Sequence, residues 1–187
     1  RFAGDSGDGI QITGSQFTLT TALAGNDLAT FPDFPAEIRA PAGTTFGVSA
    51  FQIHFGSRDI KTAGDAPDVL VALNPAALKV NLDDLVQGGM IIVDTGTFTE
   101  RNLKKAGFDS NPIEDDSLDG YQVVAADITA LTLEAVKPHG LSQKEAARCK
   151  NMWSLGLVYW IYDRDRDPSA AWLNQRFAAR QDIADSN

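Results

Sequence analysis

Two short apolar runs lie near the middle of the chain, at residues 68–73 and 90–94, and neither alternates between apolar and polar positions. Runs of this kind are typical of parallel strands that are covered on both faces. Asn74-Pro75 follows the first run, and proline suits the first position of a helix that extends to about Leu85. Strand, helix and strand in this order predict a right-handed crossover unit and therefore an α/β fold.

Other segments extend this pattern. Residues 48–55 alternate with the period of a strand, and residues 121–125 predict one more strand. Residues 10–24 have helical apolar spacing that turns Gly14 toward the sheet. Residues 28–41 carry three prolines, which break regular structure and predict an extended path.

The last third of the chain predicts a long helix. Ser142 and Glu145 form a capping-box pattern at its start, and it is expected to reach about Arg164. Residues 152–162 are apolar on nearly every side, which predicts a helix that is buried all round, in part by another protein surface. The predicted fold is a Rossmann-like three-layer α/β domain over residues 1–187, with a mostly parallel sheet and a long C-terminal apolar helix.

The composition is that of an ordinary globular protein, with 43% hydrophobic residues, 22% charged residues and a formal charge of -9. This acidic balance argues against nucleic acid as a partner, because phosphate binding needs clustered Lys and Arg. No apolar run approaches the ~18 residues of a transmembrane span and no signal peptide is evident, so we expect a cytoplasmic location and no membrane partner. The chain lacks an initiator Met and begins inside a predicted strand, so we expect a fragment of a longer subunit.

Few residues suit metal binding or nucleophilic catalysis. Cys149 is the only cysteine, whereas an iron–sulfur cluster takes about four. His54 lies on the minor face of a predicted strand and His139 in a turn, and neither has a second ligand at metal spacing. We therefore predict no catalytic residue and no metal site in this chain.

Four glycines, at positions 4, 7, 9 and 14, surround the junction of the first strand and the first helix. Glycine lets a ligand approach the backbone closely, and the first turn of the helix offers unpaired N–H groups to an anion. This turn therefore predicts contact with a phosphate-bearing ligand.

The glycine spacing matches no common nucleotide motif. Gly7 and Gly9 begin a dinucleotide fingerprint, but the third glycine falls at Gly14 rather than at residue 12. The spacing from Gly9 to Gly14 is that of a P-loop, yet Ser15 stands where the phosphate-binding Lys belongs. The thiamine-diphosphate pattern, Gly-Asp-Gly followed by Asn, also fits poorly, because Asn26 comes too soon. A turn that serves only packing stays open as an alternative.

Charged residues near the turn affect this prediction. Asp5 and Asp8 would repel a phosphate unless each turns away or caps the helix. Glu37 and Arg39 lie on the same face of a backbone that is predicted to be extended. A surface ion pair is the simpler interpretation of these two residues. A bidentate Arg, however, suits a phosphate or carboxylate of a ligand or a neighbouring domain.

Nearly the whole chain resembles the gamma domain of thiamine-diphosphate-dependent 2-oxoacid:ferredoxin oxidoreductases. The most specific blocks are Gly-Asp-Ser-Gly-Asp-Gly at residues 4–9, the Gly-Ser-Gln-Phe at 14–17, and Glu37-Ile38-Arg39. Further similar segments are residues 34–40, 68–74, 88–94 and 151–156. Arg39 is followed by Ala-Pro-Ala-Gly where other branches have Arg-Gly-Gly, which favours the 2-oxoglutarate type, with gamma fused ahead of the alpha domain, over the pyruvate type.

The resemblance implies an enzyme that decarboxylates a 2-oxoacid on thiamine diphosphate with Mg, passes electrons through 4Fe-4S clusters to ferredoxin, and transfers the acyl group to coenzyme A. It also implies that the gamma domain holds neither the thiamine nor the clusters. Its implied partners are the thiamine-binding alpha and beta domains, and it would reach ferredoxin only through the assembled complex. The implied role is contact with coenzyme A and docking of the catalytic domains. The expected ligand-binding residues are Gly4, Asp5, Ser6, Gly7, Asp8, Gly9, Glu37 and Arg39.

Two other hypotheses stay open. An independent dinucleotide-binding Rossmann oxidoreductase is favoured by the glycine-rich turn before a helix and disfavoured by the missing third glycine. A purely structural docking module, whose glycine turn only packs, accounts for the same residues without a ligand.

Overall fold

A computed structural model describes residues 1–37 and 39–187 of the chain. Its sheet has six strands: β1 (Phe2–Asp5), β2 (Asp27–Asp33), β3 (Val48–Gly56), β4 (Val69–Ala72), β5 (Met90–Asp94) and β6 (Gln122–Ala126). Its α-helices are α1 (Ile10–Leu23), α2 (Pro75–Asn81), α3 (Glu100–Ala106), α4 (Ile128–Val136), α5 (Gln143–Arg148), α6 (Lys150–Ile161), α7 (Asp167–Arg176) and α8 (Gln181–Ser186).

The strands lie in the order β2-β3-β1-β4-β5-β6. The pairs β1–β4, β4–β5 and β5–β6 are parallel, whereas β3 runs antiparallel to both of its neighbours, β1 and β2. Five strands therefore share one direction, and the prediction of a mostly parallel sheet in an α/β domain is confirmed. Because β1, β4, β5 and β6 run in parallel, their carboxyl ends meet at one edge of the sheet, where α/β proteins bind ligands.

Helices cover both faces of the sheet and give three layers. On β4, Leu70 joins a core that contains the α2 residue Leu78, and the next residue, Val71, joins a second core on the opposite face. The second core contains Phe17 of α1 and Leu155 of α6. Burial on both faces explains why the β4 and β5 runs lack alternation. Within the described part of the chain, no helix is both long and apolar enough to cross a membrane.

The structure differs from the predicted C-terminal helix in two ways. The single helix expected from Ser142 to about Arg164 is interrupted at Cys149, whose N–H donates to the Ala146 carbonyl three residues back at 3.1 Å. The helix is also not buried all round within this chain. One face packs inward, but Trp160 is 81% exposed on the other.

The proline-rich segment after α1 is partly regular. Residues 27–33 form the edge strand β2, which includes Pro32, so the prediction that the prolines break regular structure is wrong for this part. Only one side of an edge strand is paired, and proline, which lacks an N–H, is tolerated there.

Candidate functional site

The turn between β1 and α1 is built by glycine. Gly9 adopts a left-handed backbone (φ +73°) at the N-cap of α1, where no side chain caps the helix. The Asp8 N–H donates to the Asp5 carbonyl at 2.9 Å, which closes the turn. Among the described residues, no acceptor lies within hydrogen-bonding reach of the amides of Gly7, Gly9 and Ile10. These N–H groups are the kind that an anion binds at a helix N-terminus.

The two acids of the turn are directed to backbone partners. The Asp5 carboxylate accepts from the Gly43 N–H at 2.9 and 3.1 Å, and the Asp8 carboxylate accepts from the Asp5 N–H at 3.0 Å. Burial raises the pKa of the Asp8 carboxyl, while the nearby positive charge of Lys150 opposes that rise. Neither acid caps α1. Asp5 therefore turns away from the helix start toward Gly43, whereas the Asp8 carboxylate stays beside the turn and is held by the Asp5 N–H.

A buried charge cluster lies at the same sheet edge, behind the turn. Asp94, fully buried at the end of β5, accepts from Thr129 through its N–H at 3.0 Å and its hydroxyl at 2.6 Å. The Lys150 ammonium, at the start of α6, lies 3.7 Å from Asp94 Oδ2, the oxygen that also accepts from the Thr129 hydroxyl. The sequence analysis missed this cluster. One feature of the sequence could have indicated it: Asp94 ends an apolar parallel strand, and ligands of α/β proteins bind at the carboxyl ends of such strands.

A cleft of about 360 Å³ separates the glycine turn from the C-terminal helices. Gly7, Asp8 and Gly9 line one side of it, and Arg148 and Asn151 contribute polar groups on the other side. Its remaining wall is largely apolar and includes Ile12, Met152, Trp172, Leu173 and Phe177. A concave, mostly apolar site with a few polar groups at one end is the usual form of a small-molecule pocket.

Asn151 is the polar side chain placed closest to the turn. It is only 6% exposed, and its Nδ2 donates to the Gly9 carbonyl at 3.5 Å. Its Oδ1 accepts no hydrogen bond from the part of the chain that the structure covers. An amide oxygen without a partner, on a residue that lines a cleft, is available to a ligand donor or to water.

The structure separates the predicted site residues into three groups. Gly7, Asp8 and Gly9 line the cleft. Gly4 is buried beneath the turn, where an added Cβ would lie 2.9 Å from the Asp8 carboxylate. The remaining residue of the turn, Ser6, is exposed. Gly4, Asp5 and Ser6 thus form the second group, whose members shape the turn and do not line the cleft.

Glu37 and Arg39 form the third group. The Ala40 N–H donates to the Glu37 carbonyl at 3.3 Å, which closes a turn where an extended segment was expected. Both residues are exposed and neither lines the cleft. Ile38, between them, lies outside the described residues.

The loop that carries Glu37 and Arg39 is nevertheless attached to the glycine turn. The Glu37 N–H donates to the Phe46 carbonyl at 3.2 Å, and the next carbonyl, that of Gly47, accepts from the Ser6 N–H at 3.1 Å. This loop therefore borders the site at the same edge of the sheet.

Other candidate residues have ordinary structural contacts. Asn74 caps α2 by accepting from the Ala77 N–H at 2.8 Å. His54 contacts the Thr62 carbonyl through Nδ1 at 2.8 Å. Cys149 is buried, and burial raises the pKa of its thiol, which disfavours the nucleophilic thiolate.

Two curated proteins are similar to this chain. It is 56% identical over 187 residues to the 2-oxoglutarate oxidoreductase subunit KorA of Mycobacterium tuberculosis, and this match covers the whole chain and 29% of that protein. It is 28% identical over 189 residues to the ketoisovalerate oxidoreductase subunit VorA of Methanothermobacter thermautotrophicus, covering all of the chain and 33% of that protein. The chain thus spans about a third of the length of these relatives.

Solved structures share the fold. The 2-oxoglutarate:ferredoxin oxidoreductase from Magnetococcus marinus, solved with 2-oxoglutarate, coenzyme A and succinyl-CoA bound, superimposes with a TM-score of 0.72 at 24% identity, over 99% of this chain and 28% of that chain. The gamma subunit of the keto/oxoacid ferredoxin oxidoreductase from Geobacter sulfurreducens gives a TM-score of 0.62 at 17% identity, over 99% of this chain and 90% of that chain.

The family model for pyruvate ferredoxin/flavodoxin oxidoreductase matches residues 1–187, the whole of the chain. This match agrees with the resemblance carried by the glycine turn and by the segment around Glu37 and Arg39. The chain therefore belongs to the pyruvate ferredoxin/flavodoxin oxidoreductase family.

Proposed function

We propose that this chain is the gamma domain of a 2-oxoglutarate:ferredoxin oxidoreductase, and that residues 1–187 form one domain of a longer subunit. The observation that carries the proposal is the 56% identity over the whole chain to KorA of M. tuberculosis. The same fold occupies 90% of the Geobacter gamma subunit but only 28% of the Magnetococcus chain. A domain that is a separate subunit in some enzymes and part of a longer chain in others accounts for this difference.

In the proposed enzyme, a 2-oxoacid is oxidatively decarboxylated on thiamine diphosphate, electrons pass through iron–sulfur clusters to ferredoxin, and the acyl group is transferred to coenzyme A. The residues of this chain do not fit the clusters, because a 4Fe-4S cluster takes about four thiolates and the sequence has one cysteine. Within the described ranges, no group of three His, Cys, Asp or Glu side chains converges at metal-binding distance. We therefore assign thiamine diphosphate, Mg and the clusters to the partner domains, through which ferredoxin is reached.

The contribution of this chain is contact with coenzyme A, whose diphosphate we place at the free amides of Gly7, Gly9 and Ile10. Arg148 supplies a positive charge on the opposite side of the cleft, and the unpartnered Oδ1 of Asn151 supplies an acceptor. The apolar wall of the cleft suits the uncharged parts of the molecule.

The acids of the cleft do not weaken this assignment. The Asp8 carboxylate is bonded to the Asp5 N–H, and the Glu145 carboxylate is bonded to the Ser142 N–H and the Arg180 guanidinium, both at 3.1 Å. A carboxylate that already accepts hydrogen bonds and faces a positive charge exerts less repulsion on an incoming phosphate. We place Glu37 and Arg39, on the bordering loop, against the outer part of the ligand or the neighbouring domain.

Docking of the thiamine domains is the second proposed role. Trp160 projects from α6 with 81% of its surface exposed. Gly156 lies one turn earlier on the same helix, and a Cβ added to it would meet no atom within 4 Å. A large aromatic side chain beside an open glycine surface is typical of the centre of a protein interface. We propose that this face of α6 contacts the catalytic part of the enzyme.

The test uses the full-length oxidoreductase with Gly7→Val. A Cβ at Gly7 would meet nothing within 4 Å in the protein, so the substitution is tolerated by the fold but fills the space through which the ligand approaches the amides. We expect KM for coenzyme A to rise by about tenfold or more while KM for 2-oxoglutarate stays unchanged. Ala135→Val, which introduces the same side chain on the exposed face of α4, serves as the control.

Each alternative predicts a different result. An enzyme whose turnover of 2-oxoglutarate does not depend on coenzyme A contradicts the proposed function itself. Turnover that depends on NAD, with Gly7→Val raising KM for NAD, supports an independent dinucleotide-binding oxidoreductase. Normal coenzyme A kinetics in Gly7→Val support a turn that serves only packing.

A further inference from the structure

The last strand of the sheet, β6, has one unpaired edge. Gln122 faces β5, since its N–H donates to the Gly89 carbonyl at 2.9 Å. In a parallel pair, the backbone groups of successive residues point alternately toward and away from the neighbouring strand. The N–H and C=O groups of Val123 and Ala125 therefore point outward, and within the described residues no further strand follows β6 in the sheet.

The opposite edge of the sheet is protected and β6 is not. β2 carries Pro32 and begins and ends with aspartates, one of which, Asp27, accepts from the Ile60 N–H of a covering loop at 2.7 Å. Prolines, charges and covering loops are the devices by which proteins keep free edges from pairing with other chains. The sequence of β6, Gln-Val-Val-Ala-Ala, contains none of them.

The side chains of β6 are also uncovered on both faces of the sheet. Val123 and Val124 point to opposite faces and are 37% and 38% exposed. Beside Val123 runs a groove of about 310 Å³, whose apolar lining includes Pro112, Ile113 and Tyr121. An unpaired backbone edge next to a groove that presents both apolar and acidic groups suits strand addition, in which main-chain bonds supply affinity and side-chain pockets supply specificity.

Charge identifies the occupant. Two exposed carboxylates, Asp116 and Asp119, line the same groove, and Glu114 and Asp115 precede them in the chain. A neighbouring strand that carried acidic residues would be repelled here, whereas Lys or Arg side chains would be attracted. A second copy of this chain would bring an identical acidic segment to the interface.

We infer that β6 is a docking edge that receives an extended segment of another domain or subunit, apolar where it meets Val123 and basic where it passes Asp116 and Asp119. The segment becomes the seventh strand of the sheet by pairing with the outward backbone groups of Val123 and Ala125. The inference rests on the proposed function only in requiring an assembled enzyme, and it is independent of coenzyme A.

Hydrogen exchange measured by mass spectrometry on the assembled full-length enzyme tests the inference. We expect the amides of Val123 and Ala125 to exchange at least about tenfold slower than those of an uncovered edge. Ala125→Pro removes one outward N–H without breaking a bond to β5. We expect this variant to lose the added strand, so that the Val123 amide exchanges rapidly. Ala125→Ser, which keeps the N–H, should preserve protection, and slow exchange of β5 amides in every variant confirms an intact sheet.

A second variant, Asp116→Asn combined with Asp119→Lys, tests the charge requirement. It changes only exposed side chains, and asparagine keeps the left-handed backbone that Asp116 adopts (φ +61°). Loss of Val123 protection in this variant supports a basic occupant, and unchanged protection overturns it. Rapid exchange of Val123 and Ala125 in the assembled wild type overturns the docking edge altogether. A native mass showing pairing of two copies through β6, abolished by Ala125→Pro, overturns the basic partner in favour of self-association. Coenzyme A dependence, assayed on the same samples, reports separately on the proposed function.

Discussion

The side chain of Asn151, on α6, packs directly against the backbone of Gly9, at the start of α1. A Cβ at Gly9 would lie 2.5 Å from the Asn151 Nδ2, which donates to the Gly9 carbonyl at 3.5 Å. These residues are 142 positions apart, and their contact fixes the glycine turn against the C-terminal helices that form the other wall of the cleft. Gly9 is thus required for two reasons, its left-handed backbone and the closeness of Asn151.

The first prediction concerns Gly9→Ala. We expect a loss of about 2–4 kcal/mol in the free energy of unfolding, from left-handed strain and steric overlap together. Gly25→Ala is the matched control, because Gly25 is also left-handed (φ +81°) but has no atom within 4 Å of its Cβ position. Only the strain, about 1–2 kcal/mol, applies there. Urea denaturation measures both variants, and equal losses would contradict a steric role for Asn151.

The second prediction compares two helical glycines. A Cβ at Gly14 would lie 2.2 Å from the Phe51 ring, so we expect Gly14→Ala to lose about 1–3 kcal/mol despite the better helix propensity of alanine. Gly156→Ala meets nothing within 4 Å and should gain roughly 0.5–1 kcal/mol. Thermal denaturation measures the two changes. A similar gain in both variants would mean that α1 can move away from β3 without cost.

Local patterns predicted the parts of the fold that depend on neighbouring residues. The helical spacing after Ile10 placed Gly14 toward the sheet, and its contact with Phe51 confirms this. The parallel strands β4 and β5 were predicted because burial on both faces leaves continuous apolar runs. The strand β2 was not predicted, because Pro32 is acceptable only at an edge, and the position of a strand within a sheet is set by distant residues.

The candidate site was predicted less completely for the same reason. The glycine turn is local, so Gly7, Asp8 and Gly9 could be identified from their spacing. The cluster of Asp94, Thr129 and Lys150 joins the end of a strand to the starts of two helices, and no spacing in the sequence relates them. The break at Cys149, which separates α5 from α6, likewise has no glycine or proline to mark it.

The third prediction follows from the raised pKa of Asp8. Because the folded state holds this proton to a higher pH than the unfolded state, the contribution of Asp8 to stability is fully present below the ordinary pKa of 3.8 and is lost as pH rises through the folded value. Asp8→Asn keeps an oxygen to accept from the Asp5 N–H but cannot ionise. We therefore expect Asp8→Asn to gain stability relative to wild type as pH rises from about 4 to 7. Denaturation across this range measures the difference, and a difference independent of pH would contradict the burial of the Asp8 charge.

The fourth prediction tests the exposed face of α6. Trp160→Ala should change the stability of the fold by no more than about 0.5 kcal/mol, because the side chain is 81% exposed. In the proposed enzyme, the same substitution should weaken association with the partner subunit by about tenfold or more. Leu23→Ala, at a side chain that is 65% exposed on α1, is the control. Sedimentation of the assembled enzyme measures both, and equal behaviour of the two variants would remove Trp160 from the docking surface.

The fifth prediction concerns the buried pair of Asp94 and Lys150. Asp94→Ala leaves the Lys150 ammonium and the Thr129 hydroxyl without this acceptor in a buried environment, so we expect a loss of about 3–5 kcal/mol in the free energy of unfolding. Lys150→Met in the same chain removes the unpaired charge and should recover part of that loss. A double-mutant cycle of urea denaturation measures the coupling, expected at about 1–3 kcal/mol. Additive losses would mean that Lys150 is stabilised instead by the neighbouring carboxylate of Asp8.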